Sequence, residues 1–197
     1  MTALNSHPTK VRIPFSVSHA TPADCAAITT IYNQAIAKGG ITMDGEPKSV
    51  MDWQRCLQNL GQRERLLVGR IKQAVIGWGI IKRYSERSGY QGCCETSVYL
   101  HLSHTGQGYG KVIQTELLQQ ASHLGYHHIV AKVVTSNPGS IHFHKKLGFE
   151  LVGIQKNIGY LAGKWHDVAI LQYLFPHAHK KFLTGLFVFF VGLINFL

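Results

Sequence analysis

The run Thr105-Gly106-Gln107-Gly108-Tyr109-Gly110 is the strongest local chemical signal in this chain. It lies between a strand-like stretch and one with helical periodicity. Glycines let a backbone turn tightly and let a ligand approach it closely. Amides left free at the start of the following helix then face an anion, helped by the helix dipole. The chemistry expected is a cradle for a phosphate or pyrophosphate. The run is not the G-x-x-x-x-G-K-[ST] phosphate loop, because no Lys-Ser/Thr pair follows it. Lys111 and Ile113 stand where a dinucleotide-binding G-x-G-x-x-G would need its last glycine. Taken alone, such a segment is often only a turn. Metal chemistry has less behind it: Cys25, Cys56, Cys93 and Cys94 make no C-x-x-C pair, so no C-x-x-C…H-x-x-x-H spacing exists. No metal is expected, and the thiols read as reduced ones in a cytoplasmic protein.

The elements that must position the glycine run follow from periodicity and caps. Val11 to His19 alternates weakly, as a strand does. Thr21-Pro22-Ala23-Asp24 reads as a helix start, with Ile28, Ile31, Tyr32, Ala35 and Ile36 on its buried face and Gly39-Gly40 at its end. After a loop over 41–48, Ser49 opens a short helix carrying Val50, Trp53 and Leu57 on one face. Leu66–Ile71 and Ala74–Tyr84 read as strands joined at Lys72-Gln73. Cys94–Leu102 is a further strand. The helix after the glycine run turns Ile113, Leu117, Ala121 and Leu124 inward. Ile129–Thr135 is rich in β-branched residues and reads as a strand. Asn137-Pro138-Gly139-Ser140 starts another helix, ended by Gly148, and 149–159 with 164–174 form a closing hairpin. The order β-α-α-β-β-β-α-β-α-β-β predicts an α/β fold, a mixed twisted sheet with helices on both faces.

Length and composition agree with one domain. The 197 residues are 45% hydrophobic, enough to bury a core. The formal net charge is +10, from 20 Lys and Arg against 10 Asp and Glu. Such an excess attracts phosphorylated ligands, anionic lipid or nucleic acid. The positive charges are scattered, with no run longer than two, and no nucleic-acid partner is expected.

Three segments together carry a resemblance: Glu95-Thr96-Ser97-Val98-Tyr99-Leu100, then TGQGYGKVI, then Asn137 to Phe149. They resemble the GNAT superfamily of acetyl-CoA-dependent N-acetyltransferases, and more closely its phosphinothricin acetyltransferase branch. Ile31-Tyr32-Asn33, Arg87-Ser88-Gly89-Tyr90 and Gly163-Lys164-Trp165-His166-Asp167-Val168 extend the likeness, which covers about residues 11–174. The resemblance implies the GNAT fold, acetyl-CoA as co-substrate, a small-molecule amine as acceptor and a homodimer. Backbone groups of Val98, Tyr99 and Leu100 would pair with the pantetheine arm as an added strand does. Thr105, Gly106, Gln107, Gly108, Tyr109 and Gly110 would hold the pyrophosphate. Thr105 departs from the Arg or Gln usual there, so Gln107 or Lys111 must make up the contact. Asn137 and Ser140 fall where the family meets the pantetheine arm; Asn137 reads equally well as a helix N-cap. His144 stands where many members place a Tyr or His near the cofactor sulfur, as a proton donor to the leaving thiolate; it reads equally well as a partly exposed helix histidine.

Glu95 is the preferred catalytic residue. Acetyl transfer to nitrogen needs a neutral amine, and a free amine is mostly protonated at neutral pH. A carboxylate can take that proton directly or through a water. The other reading of Glu95 is a salt-bridged strand residue. For the substrate, Arg87 suits a bidentate grip on a carboxylate, while Thr42, Met43 and Tyr90 are expected to border the pocket. Trp78 reads as pocket or core, and Trp165 and Asp167 as packing and strand-pairing residues.

The expected division is a flexible arm over 1–10, the acetyltransferase domain over 11–174, and a basic linker with an apolar tail over 175–197. Phe182 to Leu197 is uncharged and follows Lys180-Lys181. As a helix it would span about 24 Å, short of a ~30 Å hydrocarbon core. It reads as a membrane tail anchor, an oligomer contact or an extension without function.

Overall fold

Two tight turns show how local sequence fixes this architecture. In the computed structural model, which describes residues 14–175, Lys72 takes φ +55° and folds one strand back on the next. Ala162 and Gly163 do the same near the end of the described chain, at φ +50° and +77°. Left-handed residues give the twist that a tight hairpin needs. The elements are β1 (Phe15–His19), α1 (Cys25–Lys38), α2 (Val50–Gln58), β2 (Arg65–Ile71), β3 (Ala74–Arg83), β4 (Cys93–Leu100), α3 (Tyr109–His123), β5 (His128–Val134), α4 (Pro138–Lys146), β6 (Glu150–Leu161) and β7 (Lys164–Leu174). Their order is the one expected from periodicity. The first strand begins at Phe15; the segment before Pro14, the arm over 1–10 and the apolar tail lie outside the described residues.

The strands form one seven-stranded sheet in the order β1-β2-β3-β4-β5-β7-β6. All neighbours are antiparallel except β4 and β5, which run parallel. One face packs α3, with Ile113, Leu117 and Ala121 fully buried against Leu67, Ile81, Ile129 and Leu171. Ile141 and Leu147, from α4 and its end, pack on the same cluster. The opposite face packs α1 and α2, with Ile28, Ile31, Tyr32 and Trp53 against Leu66, Val68 and Trp78. Trp78 therefore belongs to the core while also edging a pocket described below.

Helix starts follow the caps. At Thr21 the hydroxyl and amide both donate to the Asp24 carboxylate, and a 3₁₀ turn over Pro22–Asp24 leads into α1. At Ser49 the hydroxyl accepts from the Asp52 amide, the arrangement of a capping box. Two large apolar residues of these elements lie at the surface. Val50 sits at the first turn of α2 and is exposed, because Trp53 alone of that helix is fully covered. Trp165 is also exposed; it pairs in register with Tyr160 of the neighbouring strand and packs on that ring, as a strand-pairing residue does.

Glycines set the distance from α3 to the sheet. A Cβ at Gly79 would lie 2.7 Å from Leu117 Cδ1 and 2.9 Å from Ile113 Cγ2. A Cβ at Gly77 would lie 3.0 Å from Ile113 Cδ1 and from the Tyr99 carbonyl. Gly79→Val should therefore cost about 1–3 kcal/mol by overpacking. Urea denaturation will measure this, and an unchanged midpoint would contradict the close contact.

Candidate active site

The only parallel pairing in this sheet is short. Cys93, Cys94 and Glu95 pair with His128, Ile129 and Val130, and there the ladder stops. β4 continues to Leu100 with β3 alone, and β5 continues to Val134 with β7 alone. Between the separated edges opens a cavity of about 590 Å³. Main-chain groups on the free edge of β4 have no partner strand, so an extended ligand can add there as a strand would. Val98, Tyr99 and Leu100 all line the cavity, as do Thr105, Gly106 and Gly110.

The glycine turn supplies donors. Gly106 and Gly108 have φ +73° and +90°, and a Cβ on either would enter open space. Among the described residues no acceptor takes the amides of Gly106, Gln107, Gly108, Tyr109 or Gly110. These amides stand at the positive end of α3, a ready anion site. Gln107, Gly108 and Tyr109 do not line the cavity itself. The Gln107 side chain donates to the Ser103 carbonyl at 3.0 Å, and the Tyr109 ring packs on Phe15. The Thr105 hydroxyl donates back to the Leu102 carbonyl at 2.9 Å. What this turn offers an anion is thus main-chain N–H rather than side chains.

α4 closes the other side. Asn137 caps it, its side-chain oxygen accepting from the Ser140 amide at 3.1 Å, and Asn137, Ser140 and His144 all line the cavity. His144 is buried, not the partly exposed residue of the bland expectation. Its Nδ1 lies 2.8 Å from the Ser140 carbonyl, which assigns the proton to Nδ1. Nε2 is buried with no hydrogen-bond partner in the protein. Burial holds the ring pKa below its usual value, partly opposed by the Ser140 carbonyl.

Glu95 lies at the point where β4 and β5 part. Odd-numbered residues of β4 face α1 and α2, so Glu95, Ser97 and Tyr99 share that face. Glu95 is half-buried, and its Oε2 lies 2.7 Å from Nζ of Lys132 on β5. Ser97 and Tyr99 also edge a second cavity, of about 360 Å³, with Tyr32, Asp44, Trp53, Trp78 and Lys82. Tyr99 stacks on Trp78 at 4.6 Å and meets Tyr32 edge-on at 4.9 Å. The Tyr32 hydroxyl donates to Asp44 at 2.6 Å and lies 3.0 Å from the buried Thr42 hydroxyl. Burial pushes the Tyr32 and Tyr99 phenols up, so both stay neutral hydroxyls.

The other substrate candidates are spread around this face. Met43 lies against Gly159 of β6. Tyr90 packs edge-on on Tyr84, whose ring lies 5.8 Å from Lys132 Nζ, so Tyr90 connects to Glu95 through Tyr84 and Lys132. Arg87 lines neither cavity; its amide donates to Ser85 Oγ at 3.2 Å. Sequence reasoning passed over Lys132, although it is the single charge inside the apolar run Ile129–Val134. It also left Tyr32 and Trp53 to the core, where pattern alone puts them.

Burial raises the Cys93 thiol to about 11 and Cys94 further. Neither is a thiolate near neutral pH, so neither is poised as a nucleophile. Among the described residues no group of three His, Cys, Asp or Glu is placed to hold a metal ion.

The family described as "Acetyltransferase (GNAT) domain" matches residues 17–170, and the chain belongs to it. The chain is 30% identical over 161 residues to the phosphinothricin N-acetyltransferase of Streptomyces viridochromogenes, a match spanning 82% of this chain and 88% of that protein. It is 31% identical over 162 residues to the L-methionine sulfoximine/L-methionine sulfone acetyltransferase of Salmonella typhimurium, spanning 80% and 92%. Among solved structures, the phosphinothricin acetyltransferase of Sinorhizobium meliloti, in complex with acetyl-CoA, aligns with a TM-score of 0.77 at 30% identity. That alignment spans 81% of this chain and 88% of that one. The expected GNAT fold is therefore present, and the chain is an acetyltransferase whose family uses acetyl-CoA as co-substrate. The free amides of the glycine turn and the unpaired edge of β4 fit that group.

The buried ring of His144 couples stability to pH. Its folded pKa lies below the ordinary 6.5, so the unfolded chain takes up a proton first as pH falls. Stability is therefore held above about 6.5 and declines below it. His128, held down by burial and by His127, acts in the same direction. Urea denaturation at several pH values from 7.5 to 5 should show a smaller acid loss in His144→Leu than in the parent. Equal losses would contradict a neutral buried ring.

Proposed function

We propose that this protein transfers the acetyl group of acetyl-CoA to the amino group of a small amino acid or analogue, of the phosphinothricin or methionine-derivative type. The observation that carries this reading is the parting of β4 and β5 just beyond Glu95, with the free amides of the glycine turn beside the cavity and the Glu95 carboxylate held to Lys132, which lines it. Curated relatives that act on such amino acids support the substrate class.

Acetyl-CoA supplies the activated acetyl group. Gly106 to Gly110 hold its pyrophosphate through main-chain amides, and Val98 to Leu100 align the pantetheine arm. An amide of β4 polarises the thioester carbonyl. Glu95 takes the proton from the acceptor amine, directly or through a water, and the amine attacks without an acyl-enzyme. The thiols raised by burial support that direct route. His144 carries its proton on Nδ1, so Nε2 donates to the leaving sulfur only after gaining a second proton; its lowered pKa makes the charged ring a ready donor. Thr42, Met43 and Tyr90 border the acceptor, and Arg87 reaches its carboxylate by swinging in from the exposed 85–92 segment.

The enzyme is read as cytoplasmic and homodimeric. The exposed apolar row of Val152, Ile154, Ile158 and Tyr160 on the edge strand β6 supports packing against a second copy. No helix among the described residues is long and apolar enough to cross a membrane; membrane contact by 182–197 rests on residues outside them. Two other readings are a protein N-terminal or polyamine acetyltransferase and a non-catalytic acetyl-CoA sensor. The net charge of +10 disfavours polycationic acceptors.

Thiol release from acetyl-CoA will test this against a panel of phosphinothricin, methionine sulfoximine, methionine sulfone and common amino acids. Turnover with at least one is expected, and acetyl-CoA binding without turnover on any amine would favour the sensor. Glu95→Gln should lower kcat by about 10²–10⁴-fold with CoA affinity little changed; wild-type turnover at every pH would remove Glu95 from the mechanism. Gly108→Val fills the open space over the turn and strains a φ of +90°. Calorimetry should show CoA binding weakened by at least about tenfold in a protein that still unfolds cooperatively.

A further inference from the structure

Lys132 holds the position that the chemistry reserves for the acceptor. It lies on β5 two residues beyond the last position paired with β4, and it lines the large cavity. Its Nζ is 2.7 Å from Glu95 Oε2. A substrate ammonium about to lose its proton to Glu95 would need that same separation. The amine is half-exposed, so it is free to swing, and it sits above the Tyr84 ring. Lys82, in register with Glu95 across β3, edges the other cavity and makes no ion pair with it. Among the described lysines, only Lys132 joins the cavity to the candidate base.

We propose that Lys132 is itself an acetyl acceptor, a self-modification site fed by the cavity between β4 and β5. This rests on the acetyl-CoA reading above. Glu95 takes one proton from the Lys132 ammonium, and the Nζ lone pair adds to the thioester carbonyl carbon. The new C–N bond forms as the C–S bond breaks, and the sulfur leaves with the bonding pair. Of the two protons lost from nitrogen, one ends on the sulfur and one in solvent. The products are Nε-acetyl-Lys132 and free CoA. Acetylation removes the positive charge that occupies Glu95, leaving the carboxylate open to an incoming amine. The modified chain is therefore the form better prepared for turnover on free substrates.

Full-length protein incubated with isotope-labelled acetyl-CoA and no amine, then digested and analysed by mass spectrometry, tests this. Labelled acetyl should appear on Lys132 at least about tenfold faster than on the exposed Lys72 and Lys164, because positioning raises the effective concentration of the amine. The rate per molecule should not change with protein concentration. Excess free CoA, which takes the same cavity, should suppress labelling at Lys132 and leave the surface lysines unaffected. Glu95→Gln should bring Lys132 down to the surface rate. Lys132 labelled no faster than surface lysines, or labelled equally with excess CoA, overturns the proposal. If free amino acids are acetylated while Lys132 stays unmarked, only the self-modification falls. If acetyl-CoA does not bind, both readings fall together.

Discussion

The site depends on where one parallel ladder ends. β4 and β5 share three register pairs and then separate, while each keeps its other edge paired, β5 on β7 and β4 on β3. A longer ladder would have satisfied the free edge of β4 and closed the cavity. The break leaves main-chain groups that need a partner in a place shielded by α3 and α4. Unsatisfied backbone polarity is costly in a protein interior, and here it faces an open cleft where a ligand or water can meet it. The separation also sets Glu95 at the apex, with one side chain from each strand, Glu95 and Lys132, bridging the gap.

The two faces of the sheet divide the work. On the α3 face, Thr96 Oγ1 accepts from the fully buried Gln114, anchoring the strand to the helix whose first turn presents the free amides. On the other face an aromatic cluster of Tyr32, Trp53, Trp78 and Tyr99 forms the floor beneath Asp44 and Thr42. Residues alternate along β4, so neighbours on one strand serve different partners. Val98 packs toward α3 while Ser97 and Tyr99 edge the second cavity. The strand itself is the wall between the two cavities.

Much of this was legible in the residues, where a local rule governs. Lys72-Gln73 marked a hairpin because alternation breaks there. Gly148 marked a helix end, and it does sit at φ +91° after α4. Asn137 reads as a helix cap, and it caps α4. The register of β4 on β5 was not legible: the two strands are separated by a whole helix, and nothing local fixes how far their pairing runs. Lys132 was missed for that reason, since only the register places it against Glu95. The burial of His144 was likewise hidden, because a single histidine on a short helix carries no pattern. It follows from the rings of Phe143 and Phe149 packing edge-on against it.

Gly77 and Gly79 let the Ile113 and Leu117 side chains of α3 rest directly on the backbone of β3. The gap from the helix's first turn to the edge of β4 is therefore fixed by van der Waals contact. Gly110, at that first turn, would bring a Cβ within 3.4 Å of Leu100 and 3.7 Å of Phe143. The spacing along this seam is thus set by glycines on both sides, where any added side chain would have to displace a packed neighbour. Under the proposed function, variation along this seam would be read out as a change in which donor fits, whereas variation on the α1 and α2 side would alter the acceptor. On that reading, descendants of this chain would change the molecules they acetylate more freely than the molecule that supplies the acetyl group.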